Sequence, residues 1–206
     1  PPILHIHGAI FVAWNALFLW QALLVANGRT PDHRSWGMLG IALATAMVIS
    51  VLLAVQSSYV RAAAIGMERE ARMFSAVSLL GIAYFAIVFT LAIRRVRTPE
   101  VHRRLMYGAS VPLLQAAVAR WFQVALAPPG AVGPPPVLVA IPPGILVWTA
   151  FFVPLFLHDR RSLGHVHGTS LKVAGAAMAV VLLPVPVGPS AGWAAVTAAF
   201  AGLAQR

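Results

Sequence analysis

The residues of this chain that could do chemistry are histidines set beside arginines, and they recur at its connections. Arg29-Thr30-Pro31-Asp32-His33-Arg34 and Arg97-Thr98-Pro99-Glu100-Val101-His102-Arg103 nearly spell each other, and each joins two long apolar runs. A third connection, His158-Asp159-Arg160-Arg161-Ser162-Leu163-Gly164-His165-Val166-His167, carries the same residue types in another order. Cysteine is absent, which removes disulfides, thiolate metal sites and cysteine nucleophiles and leaves imidazole, carboxylate and thioether as ligands. Neutral imidazoles suit zinc, copper or iron, and a facing pair suits axial ligation of haem b. His33, His102 and His165 or His167 form the candidate ligand set. The neighbouring Arg94, Arg95, Arg103 and Arg104 suit haem propionates or, equally, lipid phosphates.

The repeated segment also has a plainer reading. Thr30 and Thr98 suit an N-cap, Pro31 and Pro99 the first helical position, and Asp32 and Glu100 put negative charge in the first turn, where the helix dipole favours it. On that reading Thr-Pro-acid restarts a helix, and Arg and His are headgroup contacts. It leaves unexplained why histidine returns in all three connections.

Two further candidates lie near the opposite ends of the apolar runs. His5 and His7 open the first run, and from His7 a stripe continues through Phe11, Trp14, Phe18 and Gln21 at helical spacing. His5 and His7 could form a ligand pair only where the backbone is not helical, since alternate residues on a helix point apart; the stripe otherwise reads as packing plus an interhelical hydrogen bond. Arg120 is the one strongly basic residue well inside an apolar run. It must snorkel or find a partner, such as Glu68, Glu70, the carbonyls freed by Pro142 and Pro143, or an anionic ligand, with Gln115, Gln123 and Gln21 extending a polar path inward.

The elements that position these residues follow from composition. Residues of the AVILMFWYC set make up 60% of the 206 residues and charged residues 10%, with mean hydropathy +0.83, more apolar surface than a soluble domain of this length buries. The runs are long and do not alternate, so the expected fold is all-α: a polytopic transmembrane helix bundle built from helical hairpins, one transmembrane domain over residues 1–206. The expected spans are about Leu4–Ala26, Trp36–Val55, Phe74–Ile93, Leu105–Leu126, Val137–Leu157, Leu171–Val187 and a shorter Ala191–Ala204. Seven helices is the leading count and six the fallback, because the last run is short and entered through prolines. The first run is too long for a signal peptide and is expected to be retained. Ser57–Arg72 is expected to form a short amphipathic helix on the outer leaflet. Gly37, Gly40, Ala44 and Gly81 offer surfaces for close helix approach, and Pro112, Pro142, Pro143 and Pro154 are expected to kink their helices.

Charge sets the orientation. Arg29, Arg34, Arg94, Arg95, Arg97, Arg103, Arg104, Arg160 and Arg161 fall on one side, with Lys172 just inside it; Arg61, Arg69 and Arg72 on the other are partly balanced by Glu68 and Glu70. The positive-inside rule puts the first set in the cytoplasm and the N-terminus outside. The net charge of +10 is thus a topology signal with anionic lipid as its partner. It is not a nucleic-acid footprint, because no soluble basic domain receives a strand.

Motif inventory removes several enzymes: there is no Gly-rich phosphate loop, no H-E-x-x-H and no Gly-x-Ser-x-Gly, and Asp32, Glu100 and Asp159 are placed at loops rather than as intramembrane pairs. His5-x-His7 opening a first helix with Trp14 and Gln21, then His33-Arg34 with Gly37, then His102-Arg103-Arg104-Leu105-Met106, resembles a group of poorly characterised bacterial multi-pass membrane proteins. That group is loosely similar to CtaM-type cytochrome oxidase assembly factors. The resemblance covers the first four helices; the His165/His167 loop and the Pro-rich tail depart from it. It implies a protein of the bacterial cytoplasmic (inner) membrane touching haem or copper, with His5, His7, His33 and His102 at the matching positions. The expected function is therefore a histidine-lined haem- or transition-metal-binding site serving respiratory-complex assembly or electron transfer. The alternatives are an accessory or scaffold subunit of a larger membrane complex without its own cofactor, or a small transporter or lipid-handling enzyme.

Overall fold

In a computed structural model the described residues are 2–126, 130–131 and 133–202. Ala204, at the end of the last expected span, lies outside them, as do Pro128, Pro129 and Val132 of the segment 128–136, which its prolines mark as a stiff outer loop. The described secondary structure is helical throughout: α1 (Pro2–Ala26), α2 (Thr30–Ala63), α3 (Glu68–Arg94), α4 (Pro99–Ser110), α5 (Leu114–Leu126), α6 (Ile141–Leu163), α7 (Gly168–Leu182), α8 (Pro184–Val187) and α9 (Ala191–Gly202). Single 3₁₀ turns at Val111–Leu113 and Val137–Ala140 complete it. Among the described residues five stretches are long and apolar enough to cross a membrane: α1, α2, α3, Val137–Leu163 and Gly168–Val187.

The chain divides into two compact units, Pro1–Ser57 and Ser58–Arg206. In the first, α1 buries Trp14, Leu17 and Leu24, and α2 buries Gly40, Ala44, Met47 and Val51, a stripe at the 3- and 4-residue spacing of one helix face. The small surface expected at Gly40 does receive a neighbour: a Cβ there would stand 3.7 Å from Leu17 Cδ2.

The expected surface helix at Ser57–Arg72 does not form. Instead α2 runs on to Ala63 and α3 starts at Glu68, because Gly66 takes φ +73°. Its N–H bonds Ala63 O and that of Met67 bonds Ala62 O, the paired bonds that close a helix in a left-handed turn. With 34 residues, α2 is roughly 51 Å long, well beyond the roughly 30 Å of a hydrocarbon core.

In the second unit α3 buries Ala71, Ser75, Ile82, Phe85, Phe89 and Ala92 on a 3–4 spacing and packs on α4 and α7, while α6 packs on α5 and α7. The expected single span Leu105–Leu126 is broken. Pro112 has no N–H to donate and crowds the preceding turn, so α4 ends at Ser110, one 3₁₀ turn follows, and α5 starts at Leu114. Pro142 and Pro143 do not kink a helix: they occupy the first turn of α6, where a missing N–H is harmless. Gly81 receives no neighbour within 4 Å. Close approaches are at Gly108, Gly133, Gly144 and Gly188 instead.

The helix ends of this unit sort into two groups. Contacts from His102 to Ala92 and from Asp159 to both Arg104 and Ser170 gather the end of α3, the start of α4, the end of α6 and the start of α7. At the opposite end Trp193 Nε1 donates to Arg72 O at 3.0 Å, tying the start of α9 to the start of α3.

Candidate functional site

The first group of helix ends holds a buried charge network. Arg104 is 2% exposed and Asp159 is fully buried. Arg104 Nη2 donates to Asp159 Oδ1 at 2.5 Å and Nε to the same oxygen at 3.2 Å. Its Nη1 donates to Glu100 O at 2.9 Å and to Glu100 Oε2 at 2.5 Å. Asp159 Oδ2 accepts from Ser170 Oγ at 2.6 Å and from the His167 N–H at 3.2 Å. Every guanidinium nitrogen and both carboxylate oxygens therefore have partners, as a buried pair requires. Glu100 also meets Arg103 Nη2 at 2.6 Å, and its hydrogen bond from Arg104, aided by the charges of Arg103 and Arg104, holds its carboxyl below the ordinary glutamate range.

Local sequence explains how the network assembles. Glu100 and Arg104 stand four apart on α4 and so share a face. Asp159 is not in a loop, as expected from its charged neighbours, but in the last turns of α6, which runs on to Leu163 and ends at Gly164 with φ +78°. That left-handed residue turns the chain back, and His167, extended at φ −66° and ψ 136°, becomes the N-cap of α7. Its Nδ1 accepts the Thr169 N–H at 3.0 Å while its own N–H points at Asp159.

In the second unit His102 and His165 each face a backbone carbonyl. His102 Nδ1 lies 2.9 Å from Ala92 O; a carbonyl only accepts, so the proton is on Nδ1. His165 is exposed, with Nδ1 3.1 Å from Leu163 O. Among the described residues no three His, Asp or Glu side chains gather where they could hold a metal ion. In the first unit, His33 is half-buried in the first turn of α2. His7 Nδ1 lies 3.2 Å from Ser50 Oγ, with its ring tilted on Phe11 at 4.4 Å, while His5 is exposed. Because Ser50 Oγ donates to Met47 O at 3.0 Å, His7 is the donor in its pair. Trp14 is buried, and both amide atoms of Gln21 are buried with no hydrogen-bond partner among the described residues.

Arg120 faces outward on α5. It is exposed with Ala116, Ala117, Trp121, Val124 and Ala125, a single face at 1–4 spacing, and Trp121 is 77% exposed. Neither Glu68 nor Glu70 pairs with it, and no hydrogen bond or ion pair to it exists among the described residues.

Sequence reasoning missed Tyr84, a 6%-exposed residue whose hydroxyl lies 2.9 Å from Gly108 O and 3.1 Å from Val173 O. One O–H shared between two carbonyls ties α3, α4 and α7 at one level. Trp148 Nε1 likewise donates to Ala174 O at 2.8 Å, and Tyr107 Oη to Phe151 O at 2.8 Å. The signal was present in the sequence: a phenol or indole inside an apolar run needs a partner, and in these helices the partner is a neighbour's backbone. No protein-family model, curated protein or solved structure matches this chain.

Proposed function

We propose that the chain is an integral subunit of a larger assembly in the bacterial cytoplasmic membrane, with its N-terminus outside and the Arg104–Asp159 end in the cytoplasm. The orientation rests on charge: Arg94, Arg95, Arg97, Arg103, Arg160, Arg161 and Lys172 belong to one end of the second unit. The observation that carries the subunit reading is the outward-facing Arg120. Neither α4 nor α5 is long enough to cross alone, but together they carry the chain from the Arg104–Asp159 end toward the start of α6, where Gln115 bonds Ala140 O. On this reading Arg120, six residues and roughly 9 Å before the end of α5, is intramembrane, and such arginines face protein interiors or partners far more than lipid. A carboxylate on a neighbouring subunit, with Trp121 packed beside it, is the complementary surface.

The test is the native mass of the assembly in mild-detergent extracts. Arg120→Leu is expected to lower the fraction of chain migrating in the large assembly about tenfold, equivalent to about 1.4 kcal/mol, while Arg120→Lys keeps most of it. Equal behaviour of wild type and Arg120→Leu, or a wild-type chain that migrates alone, overturns the reading.

A second reading, the haem or transition-metal site of a respiratory assembly or electron-transfer factor, is favoured by the tautomer of His102. An imidazole whose Nδ1–H is fixed on a backbone carbonyl carries its lone pair on Nε2, the tautomer in which ligand histidines are held. His165 has the same arrangement; His167 does not, since its Nδ1 is the acceptor. On this reading detergent-purified protein shows a Soret band, or copper, zinc or iron in stoichiometric amount, and His102→Ala loses it. A colourless, metal-free wild type would falsify it.

A further inference from the structure

We propose that the groove between α4 and α6 is a binding site for one anionic phospholipid, its phosphate at Arg103 and His158 and its chain along Tyr107 and Leu155. The groove is lined by Arg103, Arg104, Tyr107, Leu155 and His158 and holds about 210 Å³, far above the roughly 10–15 Å³ that a single water needs. The inference rests on the membrane reading above but not on the subunit reading.

Three observations carry it. The two walls run in opposite directions, since Arg104 meets Asp159 while Tyr107, further along α4, meets Phe151, earlier in α6. Yet both walls grade the same way. On α4 the base Arg103 precedes Tyr107 by one turn, and on α6 the imidazole His158 follows Leu155 by one turn. Opposite chain directions thus place a base at one depth and an aromatic or aliphatic side chain about 4.5–6 Å deeper, the polarity profile of a phospholipid.

The second observation is which donors remain. Arg104 forms the floor, but Asp159 and Glu100 take its guanidinium nitrogens, so it holds the wall in place and does not compete for a ligand. Arg103 shares one nitrogen with the exposed Glu100 and keeps further N–H donors, and His158 is exposed at the rim. The third is the surrounding charge: Arg160 and Arg161 follow His158 in the last turn of α6, so an anion at the rim enters a positive field while a zwitterionic headgroup gains little.

The experiment uses the full chain purified in a neutral detergent, with thermal unfolding followed as lipid is added. Phosphatidylglycerol is expected to raise Tm saturably, with an apparent affinity at least fivefold above that for phosphatidylcholine, and native mass spectra are expected to retain one such lipid. Arg103→Gln combined with His158→Gln should abolish the preference. Arg97→Gln, which removes an equal exposed charge outside the groove, should leave it intact. Equal response to both lipids, or an unchanged preference in the double variant, overturns the site. Full reproduction of the shift by inorganic phosphate alone shows a free anion and overturns the lipid. Carbonate extraction of cell membranes tests the membrane reading separately, since a chain released by carbonate fails there whatever it binds.

Discussion

Replacing Asp159 by alanine is expected to destabilise the protein by about 3–5 kcal/mol, the largest effect of any single side-chain truncation in the basic end. The carboxylate is fully buried and accepts four hydrogen bonds, two from Arg104, one from Ser170 and one from the His167 N–H. Its loss strands a guanidinium that is itself 2% exposed, with only Glu100 left to compensate from the rim. It also removes the acceptor that fixes the turn between α6 and α7. Asp159→Asn keeps the shape and one acceptor oxygen but places an amide NH₂ against a donor, so it should recover only part of the loss. Arg104→Met with Asp159→Leu should recover most of it, because removing both charges together abolishes the desolvation cost with the attraction. Unfolding in mixed micelles, read by far-ultraviolet circular dichroism, measures all three. An Asp159→Ala variant within about 1 kcal/mol of wild type would show that water reaches the pair, and would sink the account of it as a buried clamp.

The contrast between what was legible in the sequence and what was not follows from the range of the interactions. Long apolar runs such as those of α1 and α3 announce helices because hydropathy is summed over about 20 residues. Pro99-Glu100 announces the start of α4 because first-turn preferences are local, but the capping role expected of the threonines does not appear: Thr98 stands at the N-cap without a side-chain cap bond, and Thr30 is the first residue of α2. Asp159 was misplaced for the same reason: His158-Asp159-Arg160-Arg161 reads as a polar connection when seen alone. Its partner lies 55 residues away, and only packing of α4 against α6 turns a surface pattern into a buried one. Histidine at the connections was visible, but its work there was not. His167 caps a helix and His102 bonds a carbonyl ten residues earlier, roles that depend on backbone direction and leave no mark in residue type. The break at Pro112 was half legible: a proline in a span predicts disruption, but whether the helix bends or restarts through a 3₁₀ turn depends on what packs on either side.

Gly108→Ala and Gly144→Ala are both expected to be destabilising by roughly 1–3 kcal/mol through overpacking, yet only one should be rescued by a truncation across the contact. At Gly144 a new Cβ would meet Val181 Cγ1 at 2.7 Å and Cγ2 at 2.9 Å, with Gln115 Nε2 at 3.0 Å. Those are side-chain ends, and Val181→Ala deletes the two nearest, so Gly144→Ala with Val181→Ala should regain most of the lost stability. At Gly108 the nearest atom is Val173 Cβ at 2.6 Å, which Val173→Ala retains, so the backbones of α4 and α7 would have to separate. Tyr84 opposes that separation, because its hydroxyl bonds carbonyls on both helices at the same level, and parting them strands one carbonyl without its donor. Gly108→Ala should therefore fall at the upper end of the range, remain unrescued by Val173→Ala, and recover partly with Val173→Gly. If Val173→Ala restores Gly108→Ala as fully as Val181→Ala restores Gly144→Ala, the α4–α7 contact is a yielding side-chain surface, and Tyr84 does not hold the two backbones at a fixed distance.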